Sequence, residues 1–233
     1  MKTINKDYNI SPFMKVFTFL VLSTVFLASC QKPSNQEPDL QSAVNVVNAT
    51  IGMPQMGFFI NGGKIQGDLL KYTDESGYFI TFPGTRSFDV AADGITDYVL
   101  KTTVTFKQNT YHTVFIVGES GSVSSFFTDD DLSNPPSGKA KLRFVNTSPD
   151  AGNLILTLKN GTSLFTEQGY KGASQFITMD PGVYDLQVKT STGTVLVERN
   201  VTIATGVIYT AWVKGLRSGT SNSPIGLQFR SIN

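Results

Sequence analysis

The chain has 233 residues, with one Cys, one His and one Trp beside 17 Phe and 21 Gly. An internal disulfide is excluded, and so is a zinc site built from paired Cys or His. Charged residues make up 16%, below the roughly 25% of an average soluble domain, and the aromatic and β-branched content is that of a folding chain.

The first thirty residues form a distinct segment. Lys2, Lys6 and Lys15 give a basic leader, and Val16 to Ala28 is apolar except for Thr18, Ser23 and Thr24. That length suits the hydrophobic region of a secretory signal and is too short to cross a bilayer as a helix. It ends in Leu27-Ala28-Ser29-Cys30, which resembles the lipobox of bacterial lipoproteins: an apolar residue, two small residues, then the Cys whose thiol receives diacylglycerol. Residues 1–29 are read as a lipoprotein signal peptide, with Met14 as an alternative start, and Cys30 as the lipidation site. Two or more acyl chains anchor a protein stably where one does so only marginally. Residues 30–41, with Pro33 and Pro38 and no apolar period, read as a flexible tether reaching at most ~40 Å at ~3.5 Å per residue. Gln31 rather than Asp follows Cys30, which by resemblance to Gram-negative sorting rules favours the outer membrane. Without residues 1–29, 16 basic side chains face 17 acidic ones, which gives no support to nucleic-acid binding.

An internal repeat runs through the remainder at an offset of 97 to 99 residues. Val46-Val47-Asn48 matches Phe144-Val145-Asn146. Phe79-Ile80-Thr81 matches Phe176-Ile177-Thr178, Val104-Thr105-Phe106 matches Val201-Thr202-Ile203, and Tyr111 to Gly118 matches Ile208 to Gly215. The matched segments are rich in Val, Ile, Thr, Phe and Tyr and read as strands. Val183 to Val188 alternates apolar and polar, the period of a half-buried antiparallel strand. Asn61-Gly62 and Asn160-Gly161 signal hairpin turns, and Pro83-Gly84 and Pro181-Gly182 signal tight turns. Gly67 to Thr73 is open between a short strand and a helical turn. Asn48 and Asn146 recur at matched positions, which predicts a shared turn bond from the Asn side chain. Short strands at this spacing predict an all-β chain of two tandem, immunoglobulin-like antiparallel β-sandwiches. Their spans are 42–127 and 140–233, with residues 128–139 as a polar, Pro-rich linker.

The repeat resembles domain of unknown function 4397. Val145-Asn146-Thr147-Ser148-Pro149, Pro181-Gly182-Val183-Tyr184 and Val201-Thr202-Ile203 with Gly206 and Tyr209-Thr210 carry the resemblance. The first copy departs from the pattern at Ile51-Gly52 and at His112, which stands for Tyr209. The resemblance covers roughly residues 42–118 and 140–215. It implies a β-sandwich outside the cytoplasm and transfers no catalytic residue.

Few side chains offer chemistry. His112 would have to serve any Ser-His-Asp triad, yet it reads as a strand position tolerating a polar-tipped ring. Asp74-Glu75 and Asp89, Asp93 and Asp97 could supply carboxylates for glycoside hydrolysis, but they read as solvated loops. Asp129-Asp130-Asp131 has oxygen ligands suited to Ca²⁺ but no Gly-spaced loop, and reads as solvated linker. Trp212 reads as core, paired with Phe115 in the other copy, while Tyr72, Tyr78 and Tyr170 precede strands and are the candidate ligand contacts. No catalytic, metal or cofactor residue is expected. Residues 42–127 carry a net −2 and residues 140–233 a net +4, read as scattered surface Lys. The expected function is a non-enzymatic envelope lipoprotein acting as a binding or structural module. Its expected partners are the membrane through Cys30 and a glycan or an envelope protein. The alternative is a glycan-binding component of an outer-membrane uptake or adhesion system.

Overall fold

The structure, a computed structural model, describes residues 41–218 and 223–232; the expected signal peptide, Cys30 and the tether to Leu40 lie outside them. The first eight strands are β1 (Ser42–Ile51), β2 (Met56–Ile60), β3 (Gly63–Leu70), β4 (Phe79–Thr81), β5 (Gly84–Ala92), β6 (Tyr98–Phe106), β7 (Tyr111–Glu119) and β8 (Ser122–Asp130). The next eight are β9 (Ala140–Asn146), β10 (Leu154–Leu158), β11 (Ser163–Gln168), β12 (Ile177–Met179), β13 (Gly182–Thr190), β14 (Val195–Ile203), β15 (Ile208–Lys214) and β16 (Gly226–Ile232). There is no helix among the described residues. Of the segment Gly67 to Thr73, the part to Leu70 ends strand β3, and Lys71 to Thr73 turn the chain after it.

Sheets β4-β1-β7-β8 and β3-β2-β5-β6 make the first sandwich, and β12-β9-β15-β16 and β11-β10-β13-β14 the second. Adding eight to each strand of the first half gives the second. All pairings are antiparallel except β1 with β7 and β9 with β15. In the immunoglobulin sheet the first strand lies beside the second; here it sits centrally, between the fourth and the seventh.

Alternation of side chains explains both the cores and how the halves join. Val44, Val46 and Ile116 point inward and meet Phe58, Phe88 and Phe106 of the facing sheet. Leu142, Phe144 and Ala211 do the same against Leu154, Leu186 and Val188 in the second sandwich. The intervening residues point the other way. Val47, Ala49, Phe115 and Val117 pack against Val145 and Trp212 in a third core between the sandwiches. The described residues are accordingly one compact unit. Strands β1, β7, β9 and β15 are buried almost end to end; full burial on both faces favours near-continuous apolar runs. Burying each large apolar side chain contributes about 1.5–3 kcal/mol.

Matched polar residues do matched work. The Asn48 and Asn146 side-chain oxygens each accept from the backbone N–H two residues on, at 3.0 Å. Their amides donate to Leu70 and Gln168 carbonyls at the ends of β3 and β11. The Tyr209 hydroxyl accepts the Ala204 N–H at 2.9 Å. His112 fills the same role in the first copy, its Nε2 accepting the Lys107 N–H at 3.1 Å. A Cβ on Gly118 or Gly215 would lie 2.2 Å from the backbone oxygen of Ser122 or Pro224, so both copies require Gly there. Asn61 and Gly62 take φ 49° and 75°, as a two-residue hairpin turn demands. At the second Asn-Gly only Gly161 has positive φ, and the connection lengthens to Lys159–Thr162.

The expected solvated linker differs from the observed one. Thr128, Asp129 and Asp130 belong to β8, and the three Asp residues join ion pairs. Alternation drives this, because it turns Asp129 and Asp130 to opposite sides of the strand, toward different cations.

Candidate functional site

The inner sheets meet along two seams related by the repeat. After β3 and after β11 the chain runs as an extended strip along the neighbouring strand. Ser76 Oγ accepts the Val46 N–H at 2.8 Å, and Ser174 Oγ accepts the Phe144 N–H at 2.9 Å. The strip before β4 faces β16, and the strip before β12 faces β8.

The first seam is filled. Arg230 of β16 pairs with Glu75 of the strip, and its guanidinium lies 5.3 Å from the centre of the Tyr78 ring. Burial pushes the Glu75 carboxyl above its ordinary value against the pull of Arg230. The remaining cavity is about 130 Å³.

The second seam is open. Thr128, opposite Thr113 on β7, stands where Arg230 stands opposite Thr210 on β15. Ala173, bridged to Val145, stands where Glu75 is bridged to Val47. With short side chains at both positions, a groove of about 430 Å³ remains between Phe126–Asp129 and Lys171–Phe176. Beneath it lies a polar tie. Arg143 of β9 is 1% exposed; its NH1 donates to Asp130 Oδ1 at 2.5 Å and Thr128 Oγ1 at 2.9 Å, and its Nε to Thr210 Oγ1 at 2.9 Å. Asp130 Oδ2 also accepts from Thr113 at 2.5 Å and from Tyr78. The guanidinium sits 4.9 Å from the centre of the Phe176 ring and supports it.

The rim carries fixed charges. Asp129 pairs with Lys107 and lies 3.0 Å from His112 Nδ1. Partial burial opposes its ionisation, but Lys107 and His112 outweigh that and hold its carboxyl below the ordinary value. Lys141 Nζ, 2.7 Å away, and Ser133 hold the Asp131 carboxyl down at about 2. Lys171 has a left-handed backbone, φ 64°, as does its counterpart Thr73 at 74°. Its ammonium lies over the Tyr170 ring at 5.3 Å. Phe127 is 45% exposed. The groove thus sets the Phe176 ring beside hydrogen-bond donors and acceptors.

The tyrosines singled out in the sequence sit elsewhere in the interface, each with its own partners. Tyr72 lies by Gly215 and Ser223, with Lys214 Nζ 5.7 Å from its ring centre, and burial pushes its hydroxyl up to about 12. Tyr78 donates to Asp130 and packs edge-on to Tyr111; burial and the Asp130 charge push its hydroxyl well above the ordinary value. Tyr170 lies by Ser124 of β8, and burial raises it too. Trp212 is 3% exposed within the third core. Asp74 accepts the Lys71 N–H, and Asp93 accepts from Gln55. No group of three His, Cys, Asp or Glu suited to a metal occurs among the described residues. The sequence reading missed Arg143, Lys171, Gln175 and Phe176. The signal for them was the Glu75 to Ala173 mismatch between otherwise aligned strips.

Residues 42–157 match the family model described as a domain of unknown function, DUF4397. Over these residues the chain belongs to the DUF4397 family. The DUF4397 match starts at the first residue of β1 and ends inside β10. It therefore holds the whole first sandwich together with Arg143 of the second. No curated protein matches the chain. Similar solved structures include a family 26 carbohydrate-binding module of Eubacterium rectale Amy13K in complex with maltoheptaose (12% identity, TM-score 0.26, 82% of this chain and 96% of that one). The Bacillus anthracis TIE protein is similar at 11% identity and TM-score 0.26, over 75% of this chain and 34% of that one. A leucine-rich repeat protein from Bacteroides thetaiotaomicron is similar at 11% identity and TM-score 0.21, over 76% of this chain and 26% of that one.

Proposed function

We propose that the chain is a non-enzymatic binding module of the cell envelope, held at the outer membrane by lipid on Cys30. The observation that carries the binding role is the open seam, a groove lined by rings, amide and charged groups on rigid elements. Its volume falls within the ~300–1,000 Å³ common for small-ligand sites. The non-enzymatic reading rests on what the reactive groups already do. His112 accepts a backbone N–H on Nε2, which leaves that nitrogen no role as a base. The rim carboxylates are ion-paired to Lys107 and Lys141. The anchor reading rests on Leu27-Ala28-Ser29-Cys30 and on Cys30 being the only Cys.

Growth with a labelled fatty acid tests the anchor. The wild type incorporates label and fractionates with outer membranes, and Cys30→Ala does neither; equal labelling of both would overturn the anchor.

A further inference from the structure

We infer that the end of the first sandwich from which the tether departs is a membrane-docking face, seating Ile80, Phe82 and Tyr111 in the surface of a lipid bilayer. The inference rests on the anchor reading above and states how the anchored unit lies against its membrane.

Strand order gathers the face. β4 runs antiparallel to β1 and β7 runs parallel to it, so the turn after β4, the turn before β7 and the start of β1 come to one end of the sheet. Ile80, Ala43 and Tyr111 stand in one row across β4, β1 and β7, which sends their side chains to one side. Alternation puts Tyr78 and Phe82 on that side too, and Tyr78 packs edge-on against Tyr111 at 5.5 Å. A hollow of about 410 Å³ lies between Tyr78, Ile80 and Tyr111 beside the Gln41–Ala43 entry. Phe82 and Ile80 are 70% and 66% exposed, the highest among the described large apolar side chains of the first sandwich. Arg86 holds the turn that presents Phe82, donating to the Phe82 and Pro83 carbonyls at 3.3 and 2.6 Å.

The second sandwich shows the same end finished for water. Ile80 pairs with the second residue of β1, and Thr178 pairs with the second residue of β9. Phe82 follows β4 directly, and Asp180 follows β12 directly, its carboxylate paired with Lys139 at 2.5 Å. Thr178 and Asp180 are exposed, as Ile80 and Phe82 are. The fold therefore places no demand for apolar side chains there, and the copy joined to the tether carries them.

The path of the chain decides the occupant. Gln41 is fixed at this end, its carbonyl accepting the Asn109 N–H at 2.8 Å. Residues 31–40 separate it from Cys30, so the face stays within ~40 Å of the anchored residue at ~3.5 Å per residue. A bilayer holding Cys30 is thus an apolar phase always within reach. Tyr111 suits its surface, since a Tyr ring sits at the acyl boundary with its hydroxyl toward the headgroups.

The test reads docking apart from anchoring. The whole lipoprotein is reconstituted in vesicles of phosphatidylethanolamine and phosphatidylglycerol containing a lipid with a nitroxide quencher. A fluorophore is attached at Gln108→Cys, on the turn before β7, or at Ser122→Cys, beyond the far end of β7. The two ends of β7 are about 26 Å apart at roughly 3.3 Å per residue. Quenching is expected at Gln108→Cys and not at Ser122→Cys. Ile80→Thr/Phe82→Asp, which installs the second sandwich's own residues, is expected to lower the docked-to-undocked ratio at least about tenfold at an unchanged melting temperature. Phe82→Ser alone serves if the double variant does not fold. Equal quenching at the two positions, or undiminished quenching at Gln108→Cys in a folded variant, overturns the docking face. Fatty-acid labelling is read on the same samples: labelled protein without quenching loses the docking face alone, and unlabelled protein loses the anchor and the face together.

Discussion

Replacing Arg143 by Ala tests whether the polar tie under the groove holds the two sandwiches together. The Arg143 and Asp130 side chains are 1% and 0% exposed. Removing the guanidinium leaves the Asp130 carboxylate buried with hydroxyl donors from Thr113, Thr128 and Tyr78 but no counter-charge. Breaking one side of a buried pair costs about 3–5 kcal/mol. For a unit of this size each kcal/mol moves the melting temperature by about 2–4 °C, so the shift is on the order of 6–20 °C. Arg143→Met combined with Asp130→Leu removes both charges and should recover part of the loss, because a well-packed apolar pair often replaces a buried ion pair at little cost. Recovery stays incomplete, since Tyr78 and Thr113 lose an acceptor at about 1–3 kcal/mol each. Trp212 is the only Trp and lies in the third core, so its fluorescence reports the interface, while far-ultraviolet circular dichroism reports the strands. A loss below about 1 kcal/mol for Arg143→Ala, the range of an exposed pair, refutes the reasoning. So does a double variant no more stable than the single one.

Three further outcomes follow from particular contacts. Asn146→Ala removes an acceptor from the Ser148 N–H and donors from the Gln168 and Gly152 carbonyls; urea unfolding should show a loss of about 1–3 kcal/mol, and no loss would discount the predicted turn bond. His112→Ala strips the Lys107 N–H of its acceptor and should cost a similar amount, with the Trp212 signal still reporting a closed interface; a variant as stable as wild type contradicts the matched role of His112 and Tyr209. Asp131, at about 2 against 3.8 ordinarily, stabilises fully above pH 3.8, and that contribution is lost as pH falls through about 2. Its side chain is 57% exposed, so Asp131→Asn should flatten the acid limb by less than about 1 kcal/mol, and an unchanged pH slope would count against the Lys141 pairing. Glu75 has the opposite sign, its burial weighing on stability as pH rises through 4.5.

The alternating and turn-bounded segments were legible in the sequence because period two and Asn-Gly or Pro-Gly pairs act locally. The buried Asn48 and Asn146 were legible for the same reason, since they answer a backbone need two residues away. The third core was written less plainly. Val44, Val46, Val47 and Ala49 put apolar side chains on both faces of one strand, which marks burial on both sides without saying against what. The tyrosines illustrate the limit: a ring before a strand has the same local pattern whether it faces solvent or a second sandwich. Asp129 to Asp131 illustrate another, since their partners come from two distant places, Lys107 from the end of β6 and Lys141 and Arg143 from β9. The groove itself was accessible only by comparing aligned strips for a change in side-chain size.

The third core also has a consequence for how the gene could be divided. Residues 131–139 join β8 to β9, and a short connection of this kind holds its two ends at an effective concentration of millimolar order. The interface therefore stays shut even if its intrinsic dissociation constant is only somewhat below millimolar. Made as separate polypeptides at micromolar concentration, the halves would lose that advantage. Each would present the bared face of a sheet, with Val47, Phe115 and Val117 on one and Val145 and Trp212 on the other, as an adhesive surface to its own copies.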